Sequence, residues 1–280
     1  MTDLKALEAL VFQEVENRGK PLSKLGYFCA PFQPETGPFS DKVVKIYQNH
    51  VPYSTLATLL RHHDDYINVL TRLGIRVPET EIHLLENGSK LVPVIVQDAI
   101  HPKFLMRHQM QLADLQRALK LMDSAGLVIA RFWNALTQDM GRVGFHPSIR
   151  NFAVIDKEAI FFDSFPPLIH YTHVEMGEIL LQFSESLLIR FVGPFVPQML
   201  ARIQDEWYSP SQTLIGLVGS ACRLRPSDQG YFLDWGREFA HTHMPQFSNE
   251  IIEGLQRVPQ LPGYWTSFRK ILRLQGKPNI

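Results

Sequence analysis

The stretch "TEIHLLENGSKLVPVIVQDA", residues 80–99, limits the possible folds more than any other part of the chain. Asn87-Gly88 sits between two runs of strand character. That pairing is the strongest short-range hairpin signal, because the tight turn needs left-handed backbone at both central positions. The second arm, Leu91 to Val96, is nearly continuous apolar sequence. A strand of that kind is covered on both faces, which places it centrally in a sheet.

The other elements follow from periodicity. "KVVKIYQ", residues 42–48, is a strand with Val43, Lys45 and Tyr47 on one face and Val44 and Ile46 on the other. Residues 3–16 carry an apolar stripe of Leu4, Leu7, Leu10, Val11 and Val15, the pattern of an amphipathic helix. Residues 21–40 are loop-prone through Pro21, Pro31, Pro34 and Pro38, with "LGYFCAPF" as a short strand. Residues 52–74 predict a helix capped by Ser54 or Thr55 and ended by Gly74. Beyond Asp98 the period becomes helical, over 104–122, 124–140 and most of 174–275. Strands first and helices afterwards argue an α+β fold with two lobes. The changeover near residues 97–102 divides a 1–98 lobe with a leading helix from a 99–280 helical lobe.

Composition narrows the function classes. The 280 residues balance 28 basic against 28 acidic side chains, so nothing in the overall charge calls for nucleic acid or an anionic membrane. The two cysteines, Cys29 and Cys222, form no metal-type pair and no disulfide framework, which suits a reducing, cytoplasmic setting. The N-terminal segment carries acids throughout, unlike a signal peptide. "LLIRFVGPFVPQML" is interrupted by Arg190, Gly193, Pro194 and Pro197, so no membrane span is expected.

Chemistry concentrates in "GFHPSIRNFAVIDKEAIFFDSFPP", residues 144–167. It reads as a tight loop, two short strands around a turn, and a Pro-Pro stop. Asn151 opens the first strand and Asp163 closes the second, twelve residues on, so a short hairpin returns one beside the other. Upstream stand a strand lysine, Lys45, a helix with Asp64 and Asp65, and the buried strand running into Gln97, Asp98 and Ala99. This order resembles the protein-kinase-like superfamily, in particular its small-molecule arm of aminoglycoside- and choline-type phosphotransferases, over roughly residues 25–190.

The resemblance implies a bilobal fold that binds ATP with Mg²⁺ and phosphorylates a small-molecule hydroxyl. Lys45 would hold the nucleotide phosphates, and Asp65 or Asp64 would orient Lys45. Val43 would cover the adenine, and the backbone of Gln97, Asp98 and Ala99 would pair with it. Asn151 and Asp163 would hold Mg²⁺, a cation that prefers hard oxygen ligands. The family's loop places an Asp five residues before the Asn; here that position is His146. Imidazole can accept a proton near neutral pH or, once protonated, contact phosphate. No glycine-rich phosphate loop stands between residues 20 and 42, and "DSF" replaces the protein-kinase "DFG". These departures keep two alternatives open: a pseudokinase that acts through a protein partner, and nucleotidyl transfer from ATP.

Other features have plainer readings. His170, His173, His241 and His243 raise the question of zinc without an evident Cys or Glu companion. Cys222 beside Arg223 and Arg225 reads as a buried thiol, or the arginines as an anion contact on one strand-like face. Trp207 and Tyr208 read as core or lobe-packing aromatics.

Overall fold

The computed structural model describes residues 2–17, 29–47, 53–88, 90–183 and 204–260. Four strands, β1 (Cys29–Phe32), β2 (Lys42–Tyr47), β3 (Thr80–Asn87) and β4 (Lys90–Asp98), form one antiparallel sheet in the order β1-β2-β4-β3. The apolar β4 has a neighbour on each side, as its lack of alternation requires. Residues 25–28 of the expected first strand, and much of the stretch read as lacking a phosphate loop, lie outside the described residues.

The alternation in β2 separates two environments. Val44 and Ile46 face outward and are covered by helix α1 (Leu4–Asn17) through Leu7 and Val11, together with Val94 and Val96. Lys45 and Tyr47 face inward, opposite Ile95 and beside helix α2 (Tyr53–Arg72). On α2, Leu56, Leu59, His63, Tyr66 and Leu70 form the buried stripe at steps of three and four residues. The helix has already begun at Tyr53, so Ser54 and Thr55 sit in its first turn rather than at its cap. Gly74, at φ 71°, stops it.

The second lobe is mainly helical: α3 (Met106–Leu112), α4 (Leu115–Ala135), α5 (His173–Gln182), α6 (Pro210–Leu224), α7 (Gln229–His243) and α8 (Ser248–Gly254). The expected helices 104–122 and 124–140 break elsewhere. The interruption falls at Ala113, and the Asp114 carboxylate caps α4 by accepting from Arg117 N at 2.7 Å. Past that cap, Leu121, Met122, Ala125 and Ile129 keep one buried face, and nothing ends the helix until Leu136 turns extended.

Between α4 and the sheet lies a hairpin, β5 (Phe152–Ile155) and β6 (Glu158–Phe161). Its two-residue turn holds Asp156 and Lys157 at φ 51° and 70°, the doubly left-handed geometry that matches strand twist. Ser124 on α4 donates to the Lys157 carbonyl at 2.9 Å and fixes the turn. Phe152 and Phe161 of the hairpin pack with Phe132 and Phe145, and all four are wholly buried. This is a bilobal α+β fold: a small antiparallel sheet with a helix on each face, over a larger helical lobe. Among the described residues no helix is long and apolar enough to cross a membrane.

Candidate functional site

The site is built around the loop before β5. Gly144 N donates to Leu168 O and Phe145 N to Trp207 O, each at 2.7 Å, while Tyr66 on α2 donates to the Gly144 carbonyl at 3.0 Å. Position 144 must be glycine: a Cβ would stand 2.9 Å from both the Trp207 carbonyl oxygen and the Tyr208 ring. The Phe145 ring packs against Phe132 and Phe161, at centroid distances of 5.0 and 4.4 Å. With Phe145 fixed in the core, His146 points into the cleft, one quarter exposed.

His146 Nδ1 lies 3.1 Å from Asp163 Oδ2. Asn151 closes a one-turn 3-10 helix (Ile149–Asn151) whose cap is Ser148. Its amide nitrogen donates to the His146 carbonyl at 3.4 Å, and its own carbonyl accepts from Phe162 N at 3.0 Å. The hairpin therefore brings His146, Asn151 and Asp163 together, as their spacing predicts. Burial works to raise the Asp163 pKa. The hydrogen bond from His146, then the charges of His146, Lys45 and Arg150, outweigh it and hold the carboxyl below its ordinary range.

The sheet lobe contributes from above. Lys45 is 9% exposed, so the solvated edge-strand role common for lysine does not apply here. Its ammonium donates to the Phe162 carbonyl at 3.2 Å, and the Gln97 side chain donates to the same oxygen at 3.2 Å. Gln97 also bonds Thr80. Two strands of the sheet thus grip the residue next to Asp163.

Two expected arrangements differ in the structure. Asp65 is half exposed and lies 3.4 Å from His170, and Asp64 is 71% exposed. Neither is paired with Lys45. The α2 residue on that side is His63, fully buried, with Nε2 3.0 Å from Ser164 Oγ. Helical spacing explains the exchange: residues 63 and 65 lie about 200° apart around the axis, so a buried His63 turns Asp65 outward. Burial first, with Lys45 also contributing, lowers the His63 pKa and favours neutral imidazole. At the end of β4, Asp98 N donates to Glu79 O and Ala99 N to Asp41 O, each at 2.9 Å. The Asp98 carboxylate is bridged to Lys42. The two amide donors expected for adenine are already occupied by protein carbonyls. Val43 is partly buried, opposite Gln97.

Beyond His146 lies a small pocket of about 10 Å³, walled by His146, Pro147, Ser148, Glu206, Trp207 and Arg223. The Trp207 ring stands 5.1 Å from the imidazole. Trp207 packs into the core, as its aromatic character predicts, and also walls this pocket, whereas Glu206 has no signal in the sequence, since nothing in "DEWYSP" separates one acid from another. His63 left a fainter sign, as a polar residue in the apolar stripe of α2.

The residues present suit Mg²⁺ in kind. Asp163 supplies an ionised carboxylate, and the Asn151 amide oxygen is not the atom engaged with His146. For zinc, no group of three or more His, Cys, Asp and Glu side chains among the described residues is placed to hold a metal. Cys222 is buried and its thiol is pushed up to about 11 by desolvation, so it is an inert core residue. Arg225 caps the end of α6, not a strand, and is bound to Asp228 and to the Met110 and Ala113 carbonyls.

No curated protein matches the chain. Among solved structures, WaaP in complex with acyl carrier protein is similar at 15% identity and a TM-score of 0.40, over 91% of this chain and 97% of that one. A family model described as "Family of unknown function (DUF6206)" matches residues 6–276, and the chain belongs to that family.

Proposed function

We propose that this protein binds ATP with Mg²⁺ and transfers the terminal phosphoryl group to a hydroxyl of a small molecule. One observation carries the reading: Lys45, His146, Asn151 and Asp163, from both lobes, converge on one cleft, with Asp163 ionised and in contact with His146. Lys45 would neutralise phosphate charge, and Asn151 and Asp163 would hold the metal, which supplies further charge neutralisation when bound. Asp163 also fixes the imidazole. With Nδ1–H directed to the carboxylate, Nε2 is left as the acceptor. His146 then takes the hydroxyl proton as the acceptor oxygen bonds to phosphorus and the bond to the ADP oxygen breaks. Calorimetric titration with ATP, with and without Mg²⁺, tests the reading. Mg²⁺ is expected to tighten ATP binding in the wild type and to give no gain in Asp163→Ala. No wild-type binding at millimolar ATP would refute it.

The pseudokinase reading is favoured by a different observation. The Asp98 and Ala99 amides are occupied, and neutral His63 stands where an acid would support Lys45. On that reading His146→Ala leaves cellular activity intact and the cleft serves a protein partner. For nucleotidyl transfer, product mass decides, since phosphate and AMP additions differ.

A further inference from the structure

Glu206 is held against the His146 loop by backbone. Phe145 N donates to Trp207 O at 2.7 Å, so the residues flanking this bond, His146 and Glu206, wall the same pocket. The segment carrying Glu206 is fixed at three more points. The Gln204 side chain donates to His173 O at 2.9 Å, Tyr208 N donates to Gln204 O at 3.1 Å, and the Arg142 guanidinium lies 3.4 Å from the Tyr208 ring centroid. Gly216 on α6 leaves room for the carboxyl: a Cβ there would fall 2.7 Å from Glu206 Oε1. Glu206 is partly buried, and its carboxyl has no hydrogen bond or ion pair among the described residues.

The size of the pocket selects its occupant. About 10 Å³ is the room that a single water needs. A water is held firmly where about three polar groups surround it. The Glu206 carboxylate can accept one of its protons. Ser220 Oγ, wholly buried, accepts from Ile149 N at 3.1 Å, which leaves its own proton to donate to the water oxygen. The third group is the imidazole. His146 Nδ1 is engaged with Asp163, so Nε2 is the nitrogen left to accept the second water proton. Trp207 and Pro147 complete the walls. A water held in this way keeps one lone pair for attack and lies beside a base. The carbon chain of an alcohol has no room in the same space.

We infer that the protein also hydrolyses ATP, with a water held between His146 and Glu206 as the nucleophile. The inference rests on the ATP-binding reading and adds a second activity to the same cleft. The water oxygen bonds to the terminal phosphorus as the bond from that phosphorus to the ADP oxygen breaks, its electron pair leaving with ADP. His146 Nε2 takes one water proton, and Glu206 orients the water through the other. The products are ADP and inorganic phosphate. A hydroxyl compound bound in the cleft competes for the same imidazole nitrogen, so hydrolysis falls as an acceptor is taken up.

The test uses the full chain with ATP and Mg²⁺, no added hydroxyl compound, and water enriched in oxygen-18. Calorimetric titration with ATP runs in parallel. Wild type should release ADP and phosphate in equal amounts, each phosphate carrying a single solvent oxygen. Glu206→Gln and Gly216→Ala should each lower kcat for phosphate release at least about tenfold, with ATP affinity unchanged. Gln keeps the shape of Glu, and Ala is the better helix former, so the two changes spare the fold. The added Cβ at position 216 instead displaces the Glu206 carboxyl. Asp163→Ala, purified in the same way, should show only the rate of contaminants. ATP binding without phosphate release would overturn the inference and leave the phosphotransferase reading intact. Phosphate release that neither pocket variant slows would overturn it as well. No ATP binding by wild type would refute the phosphotransferase reading, and the hydrolysis with it.

Discussion

The two sides of His146 are built differently. Toward Asp163, most polar groups meet partners: imidazole with carboxylate, Lys45 and Gln97 with the Phe162 carbonyl, His63 Nε2 with Ser164, while the buried His63 Nδ1 has none. Toward Glu206, a partly buried carboxyl faces a small pocket with no hydrogen-bond partner among the described residues. A hydrogen-bonded network fixes geometry, whereas a partly buried polar group without a partner gains when something binds. The first side is suited to holding groups in place and the second to receiving one.

Both sides depend on Phe145, whose ring anchors the core and whose amide ties residue 207. Phe145→Ala should therefore produce the largest effect, a loss of about 3–5 kcal/mol in unfolding free energy, read by chemical denaturation. A loss under about 1 kcal/mol would show that the two sides do not share this support. Next in size, Asp163→Ala should abolish the Mg²⁺-dependent gain in ATP affinity, a drop of about 100-fold or ~2.7 kcal/mol by calorimetry. Glu206→Ala should leave that affinity unchanged. Equal losses in the two variants would erase the distinction between the sides. A smaller effect is expected at His63. His63→Leu removes the bond to Ser164 but keeps the apolar stripe, and should cost about 1 kcal/mol with ATP binding reduced less than in Asp163→Ala.

The smallest effect sharpens the pocket side through pH. Burial raises the Glu206 pKa above 4.5, so as pH climbs past 4.5 the unfolded chain releases its proton before the folded chain does. The native state then loses stability as pH rises through the folded pKa. Glu206→Gln cannot lose that proton. Its Tm should match wild type below pH 4.5 and exceed it at neutral pH, by about 2 °C for a chain of this size. Thermal melts across that range would show it, and a Tm difference independent of pH would contradict it.

Legibility from sequence followed the range of the interactions. The β3–β4 hairpin, the central placement of β4 and the return of Asp163 to Asn151 are local in sequence, set by turn chemistry and strand period; the turn itself is shifted by one residue, since Asn87 still pairs with Lys90 at the end of β3 and only Gly88 of the Asn-Gly pair lies beyond it. The two inner and outer faces of β2 followed from the same period. The α3–α4 break lies about ten residues before the point where periodicity puts it, because helical periodicity runs through both segments and the Asp114 cap marks the boundary.

What the sequence by itself determined was the alternation of elements and the loop that brings His146, Asn151 and Asp163 within reach. Tertiary structure alone decided which groups meet across the lobes. It buried Lys45 on a backbone carbonyl, set His63 rather than Asp65 beneath it, closed the Asp98 and Ala99 amides, and carried Glu206 to His146 across sixty positions of chain. The physical reason is that a residue's periodicity reports which side of its own element is buried. Which foreign side chain it then meets depends on packing between elements distant in sequence, and several acids in a short window are equivalent until that packing selects one.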